Sequence, residues 1–157
     1  MPEENYPRDF PNLGPHFRRT SEPAYYNCIS YVVGDLKRRW WPGEYHPRWS
    51  DDYWPAGAPH EETLQALIVA LATVGFTPCP GAEPEAGFDK IAIYALGNGL
   101  ITHAARQAGN LWCSKLGPDE DIEHPLEGLE GPCYGNVTAF LKRPVAVAAF
   151  PPASPNP

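Results

Sequence analysis

Residues 90–116, with the sequence KIAIYALGNGLITHAARQAGNLWCSKL, decide the fold class. Apolar side chains recur there with a period of two, the pattern of β-strands with one buried face. The three segments with this pattern are 90–95, 100–107 and 111–116. Gly-Asn-Gly at 97–99 and Gly-Asn at 109–110 predict tight turns between them. We therefore expect an antiparallel meander, and residues 134–142 (YGNVTAFLK) predict its fourth strand.

Two helices are predicted ahead of this meander. The first begins at Cys28, because Asn27 is a favoured N-cap and the apolar residues that follow recur at helical spacing. Those apolar residues are Ile29, Val32, Val33 and Leu36. Pro42 and Gly43 are expected to end this helix, and a second is predicted over about 60–74. Helices followed by antiparallel strands indicate an α+β fold.

Length and proline distribution indicate one domain with two flanking segments. At 157 residues the chain is long enough for one hydrophobic core and short for two. Residues 1–25 contain five prolines and predict an extended N-terminal arm. Residues 26–145 are expected to form a single α+β domain, and residues 146–157 a proline-rich tail.

Charge and hydropathy argue against several classes of function. The net charge is −7 and no stripe of Lys and Arg is present, so no nucleic-acid partner is expected. No stretch approaches the ~18 apolar residues of a membrane span. The first ten residues lack the basic and apolar regions of a signal peptide. We expect a cytoplasmic protein without membrane attachment, and delivery as a secreted effector stays open.

The four cysteines are widely spaced and contain no C-x-x-C pair, which argues against a zinc site. They are Cys28, Cys79, Cys113 and Cys133. Free thiols in a reducing compartment are expected. The pattern predicts neither a metal nor an organic cofactor.

Cys28 is the candidate nucleophile. It occupies the first helical position, where free backbone N–H groups and the helix dipole favour a thiolate. A cysteine hydrolase also needs a base, and His103 on the second predicted strand is the best candidate. The alternative for His103 is a structural histidine packed in the core. The backbone N–H of Cys28 is expected to contribute to an oxyanion hole.

A group that orients His103 is expected on the neighbouring strand. A two-residue turn at 109–110 would place Ser114 on the same face as His103, so Ser114 is the third candidate catalytic residue. Gln107 is an alternative orienting group on the strand of His103 itself. Two polar residues of the following acidic loop also stay open for this role: Asp121 and His124.

Four side chains are candidate substrate contacts. They are Trp41, Trp54, Arg106 and Gln107. The tryptophans belong to an aromatic, proline-rich loop over 40–59, which predicts either a substrate wall or a cover over the core. Arg106, and Lys115 with it, is a candidate binder of a substrate carboxylate, and the alternative is a solvated strand face with acidic partners.

Several motifs resemble known families. Residues 26–31 (YNCISY) are similar to the nucleophile helix of papain-like cysteine hydrolases, particularly the compact NlpC type. Residues 91–104 look like the second and third strands of that family. A combined pattern over about residues 24–143 also resembles a bacterial family described as a domain of unknown function. Its motifs are YNC at 26–28, WWP at 40–42, YWP at 53–55, THAARQ at 102–107 and SKLG at 114–117.

The papain-like resemblance implies N-terminal helices packed on an antiparallel meander of about four strands. It also shows a departure. In NlpC-type enzymes the base histidine opens the strand that begins here at Lys90, and His103 stands where that family has its orienting residue. Three interpretations stay open: His103 has become the base, the chain is a catalytically inactive relative, or the strand register is shifted by one element.

Two classes of function follow. The first is a cysteine hydrolase or acyltransferase that acts on an amide bond through a Cys28 thiolate and a His103 base. As a peptidase, amidase or glutamine deamidase, it would act on a peptide, a protein or a peptidoglycan-like substrate. The second class is a catalytically inactive papain-like module that binds a protein partner.

Overall fold

A computed structural model describes residues 3–21, 25–42, 52–116 and 120–145. Among them, seven strands form one antiparallel sheet in the order β1-β6-β5-β4-β3-β7-β2. The strands are β1 (Arg18–Arg19), β2 (Thr77–Cys79), β3 (Phe88–Ala95), β4 (Ile101–Ala108), β5 (Leu111–Lys115), β6 (Asp121–His124) and β7 (Asn136–Pro144). The helices are α1 (Tyr6–Asp9), α2 (Cys28–Val33) and α3 (Leu64–Ala72), with 3-10 turns at Glu3–Asn5 and Leu126–Leu129. The predicted tail, 146–157, lies outside the described residues.

The predicted α+β papain-like fold, with helices packed on a meander of about four strands, is wrong. The sheet has seven strands and dominates the described part of the chain, where the helices are few and short. Strands β1 and β2 were missed because two or three residues are too few to show an alternation of apolar and polar side chains. Strand β6 was missed because its sequence, Asp-Ile-Glu-His, is mostly charged or polar. Strand β7 pairs with β3 and β2, and hydrophobic periodicity does not encode such long-range neighbours.

Both predicted helices are present but shorter than expected. Helix α2 begins at Cys28, as predicted, but ends at Val33 because Gly34 takes a left-handed conformation with φ of 88°. Pro42 therefore plays no part in ending it. Helix α3 begins at Leu64 rather than near residue 60, because the Thr63 side chain accepts the Ala66 N–H and caps the helix.

The sheet separates two hydrophobic clusters. On one face, Ile91 and Ile93 pack with α2 and α3. On the other face, Ala92 and Tyr94 pack with residues of α1 and the 126–129 turn. The segment predicted as an extended arm therefore contributes to the second cluster through α1, and to the sheet edge through β1. No helix of the described residues is long and apolar enough to span a membrane.

Candidate functional site

The first turn of α2 is fixed by a buried network around Asn27. The Asn27 side chain accepts the Ser30 N–H, and the Ser30 side chain in turn accepts the Asn27 N–H, which is a capping box. The same Asn27 amide donates to the Trp40 carbonyl at 2.8 Å, and the Trp40 N–H reaches the Ser30 hydroxyl at 3.1 Å. This network holds Cys28 in place, and it occupies the polar atoms of Asn27 with structural contacts.

Cys28 opens onto a cleft of about 270 Å³. The cleft is lined by Asn27, Cys28, Arg39, Trp41, Asp52, Thr102 and Tyr134. Arg39 and Asp52 form an ion pair of 3.8 Å in its wall. The cleft thus combines a thiol, both signs of charge and two aromatic side chains.

The sulfur of Cys28 has mixed electrostatic surroundings. The backbone N–H groups of Ala104, Ile29 and Cys28 donate toward it, and together with the Arg39 charge they favour the thiolate. Burial is the larger effect, because Cys28 is only 6% exposed, and it raises the pKa of the thiol to about 11. The direction is opposite to that expected for a helix N-terminus, so Cys28 is a neutral thiol at pH 7 in this conformation.

His103 lies on the opposite face of the sheet from Cys28. It pairs with Tyr94 across β3 and β4, and its ring contacts those of Tyr94 and Tyr134. Within the described residues, neither ring nitrogen has a hydrogen-bond partner. Burial, followed by the proximity of His124, holds the pKa of His103 well below its usual value. The structure does not bring His103 into contact with Cys28, and its role as a base remains a prediction.

Ser114 shares a face with His124 and contacts that residue. The Ser114 hydroxyl lies 2.7 Å from Nε2 of His124, whose Nδ1 lies 2.7 Å from the Pro125 carbonyl oxygen. Because a carbonyl only accepts, Nδ1 carries the proton and the serine donates to Nε2. Ser114 was expected to orient His103, but its hydroxyl is hydrogen-bonded to His124. Ser114 and His124 are fully buried, so the pair has a structural role here.

The predicted substrate contacts fall into two groups. Trp41 lines the cleft and donates from its indole nitrogen to Glu62 at 3.2 Å. The other three are structural: Trp54 donates to the Pro59 carbonyl, Gln107 donates to the Ala82 carbonyl, and Arg106 is buried against the Tyr31 ring. These three side chains therefore pack in the core or brace a loop, and they do not form a substrate wall.

Sequence reasoning missed three residues of the Cys28 environment: Arg39, Asp52 and Tyr134. Lys115, predicted with Arg106 as a carboxylate binder or part of a solvated strand face, is instead fully buried. Tyr134 was assigned to a strand, whereas it precedes β7 and reaches the cleft from a loop. Arg39 and Asp52 are brought together by folding of the loop that follows α2, which no local pattern encodes.

Lys90, which stands where the NlpC-type base would be, has a bracing role. Its ammonium donates to the carbonyls of Gly81 and Glu83 and pairs with Glu85 at 2.8 Å. These contacts hold the loop between β2 and β3. Among the described residues, no group of three His, Cys, Asp or Glu side chains is arranged to hold a metal ion.

A family model matches residues 18–142, which include every cleft residue named above. The chain belongs to the DUF7689 family, a domain of unknown function. No curated protein matches the chain, and no solved structure matches it. The match covers α2 and all of the sheet except the last two residues of β7.

Proposed function

We propose that this protein is a cysteine-dependent acyl-transfer enzyme that cleaves an amide or ester bond, with Cys28 as the nucleophile. The observation that carries the proposal is the position of the thiol. It lies at a cleft, on a rigidly capped helical turn, with three backbone N–H groups directed at its sulfur. The other cysteine on this face, Cys113, is buried and does not line the cleft.

The proposed reaction has two steps. The Cys28 sulfur loses its proton and attacks the substrate carbonyl carbon, an S–C bond forms, and the C–N or C–O bond breaks as the leaving group takes up a proton. Water then attacks the thioester carbonyl, which releases the carboxylic acid and restores the thiol. The Arg39 and Asp52 side chains in the cleft wall suit a polar substrate that carries both hydrogen-bond donors and acceptors.

The test uses p-nitrophenyl acetate, an activated ester that needs little specific binding. We expect release of p-nitrophenol and one acetyl group on Cys28, identified by intact mass and peptide mapping. Cys28→Ala should abolish both signals. Cys133→Ala, which removes a partly exposed cysteine, should retain both. Acetyl groups found only at other residues, or an unchanged burst in Cys28→Ala, would exclude Cys28 as the nucleophile.

A binding role is the second candidate. It is favoured by the raised pKa of Cys28 and by the packing of His103 on the other face of the sheet, since no imidazole of the described residues lines the cleft. In that case the cleft would hold a peptide or protein segment without reacting with it. Absence of any adduct at Cys28 across pH 6–10, in a folded protein, would support binding over acyl transfer.

A further inference from the structure

We infer that Lys115, braced by Asp121, is the positioning residue that controls ionisation of Cys28, in the place predicted for His103. The inference rests on the proposed function, because it assigns the charge that a nucleophilic Cys28 would need. It concerns β4 and β5, on which α2 packs, and β6, which pairs with β5.

Strand alternation places Lys115 on the face of the sheet that α2 covers. Cys113 of β5, two residues before Lys115, packs in the same hydrophobic cluster as Cys28 and as Ala104 of β4. Helix α2 packs on both strands. Lys115 is fully buried, and its ammonium lies 5.3 Å from the centre of the Tyr26 ring, two residues before Cys28.

Asp121 is placed to hold the lysine. It is the cross-strand partner of Lys115 in the β5–β6 ladder and is fully buried. Its carboxylate accepts the Tyr26 hydroxyl at 3.0 Å, so Tyr26 contacts both members of the pair. A nucleophile, a titratable group beside it and a third residue that orients that group form the arrangement that activated nucleophiles use.

Several charged or titratable groups face Lys115. The carboxylates of Asp121 and Glu120, and Cys28 when it is a thiolate, favour the ammonium form, whereas Arg39 opposes it. Arg106 and Tyr26 face Asp121 from β4 and from the segment before α2. Burial is the largest effect and lowers the pKa of Lys115 to about 8. The Lys115 ammonium therefore loses its proton more readily than that of an ordinary lysine, whereas burial raises the pKa of the Cys28 thiol to about 11.

Two coupled groups of this kind lose their protons in steps that belong to the pair. We expect the first proton to leave near pH 8, from the Lys115 ammonium in most molecules and from the Cys28 thiol in the remainder, because a cation near the sulfur favours the thiolate. Cys28 reactivity should therefore rise in two steps, near pH 8 and near pH 11, with a plateau between them. A lone buried thiol would show the upper step only.

The test measures the rate of iodoacetamide alkylation of Cys28 from pH 6 to pH 11, by peptide mass spectrometry. The full chain carries Cys79→Ser and Cys133→Ser to remove the two partly exposed thiols. We expect the two-step profile in this parent. Lys115→Met should lose the lower step and react about tenfold more slowly at pH 8, the effect of about one pKa unit. His103→Phe is the matched control and should keep both steps.

Lys115→Arg keeps the cation but removes its titration, so it should show one step at a pH below the upper step of the parent. Superimposable profiles for the parent and a folded Lys115→Met, or a step near pH 8 that survives in Lys115→Arg, would overturn the inference.

A second measurement needs no Lys115 variant, because it follows the effect of Cys28 on the ionisation of Lys115. Cys28→Ala should change the titration of the Lys115 ε-methylene in ¹³C NMR, and an unchanged titration would also overturn it. These readouts do not depend on acyl transfer, so the proposed function and the inference can fail separately.

Discussion

The rings of His103 and Tyr134 lie parallel, with their centroids 4.1 Å apart and 6° between their planes. Tyr94 meets the same imidazole edge-on at 5.3 Å. His103 is 1% exposed, so burial removes the hydration of its nitrogens and favours the neutral ring. Because Tyr134 also lines the cleft, the histidine supports one wall of the site from behind.

The first prediction concerns acid stability. The pKa of His124 is lowered from 6.5 to about 4 by burial, and that of His103 is lowered too. Both groups are neutral in the folded state and bind protons in the unfolded chain below pH 6.5. Their stability contribution is therefore complete above about pH 6.5 and is lost as the pH falls toward 4. His124 alone should reduce the free energy of unfolding by about 2 kcal/mol between pH 8 and pH 5.

Urea denaturation at the two pH values measures this loss. His124→Gln cannot take up a proton in this range, so the difference between pH 8 and pH 5 should be smaller in the variant by about 2 kcal/mol. An equal loss in the variant and in the parent would show that other groups control acid unfolding.

The second prediction concerns the cap of α2. Asn27→Ala removes the acceptor for the Ser30 N–H and the donor to the Trp40 carbonyl, at a site that is 5% exposed. The lost cap and the unpaired groups left behind should together cost about 3 kcal/mol of unfolding free energy. Thr63→Ala at the α3 cap is the comparison, since it removes one partly exposed hydrogen bond and should cost about 1 kcal/mol. Equal costs in urea denaturation would contradict the buried network.

Much of this site could be predicted from local signals, and the rest depends on strand order. Asn27 followed by helical spacing was sufficient to predict that α2 begins at Cys28. The turn at 109–110 was sufficient to put Ser114 on the face of His103, because side chains alternate and a two-residue turn fixes the register. Neither signal says which face α2 covers. It covers the face of Ala104, one residue from His103, so the predicted base lies on the far side of the sheet.

The papain-like fold was predicted wrongly for a related reason. The similarity to that family came from segments that lie close together along the chain, around Cys28 and through β3 and β4. The three strands that complete the sheet are short or charged, and β7 reaches its place through pairing over more than 40 residues. The sequence also did not show which charged residues are buried. Lys115, Arg106 and Asp121 are charged residues in the sequence, yet the structure places all three in the core.

The third prediction concerns Gly135, which follows Tyr134. A Cβ at Gly135 would collide with the carbonyl oxygen of Ala95 and lie 2.6 Å from its carbonyl carbon, and the residue has φ of 73°. Gly135→Ala should cost about 3 kcal/mol, since both strain and a backbone collision must be relieved. Gly99→Ala has φ of 88° but open space around the Cβ, and should cost about 1 kcal/mol. Similar melting temperatures for the two variants would contradict the close approach at Gly135.

The fourth prediction separates Lys90 from the chemistry of Cys28. The Lys90 side chain is only 2% exposed and holds two carbonyls and the Glu85 carboxylate, whereas Lys142 is 25% exposed and contacts the same carboxylate and the Phe88 ring. Lys90→Met removes the hydrogen bonds to both carbonyls and should cost about 2 kcal/mol in urea denaturation, whereas Lys142→Met should cost less than about 1 kcal/mol.

Neither lysine variant should alter the pH profile of Cys28 alkylation, because the Lys90 contacts brace the 81–85 loop and none of these residues lines the cleft. A changed profile in Lys90→Met at unchanged stability would contradict a purely bracing role for Lys90.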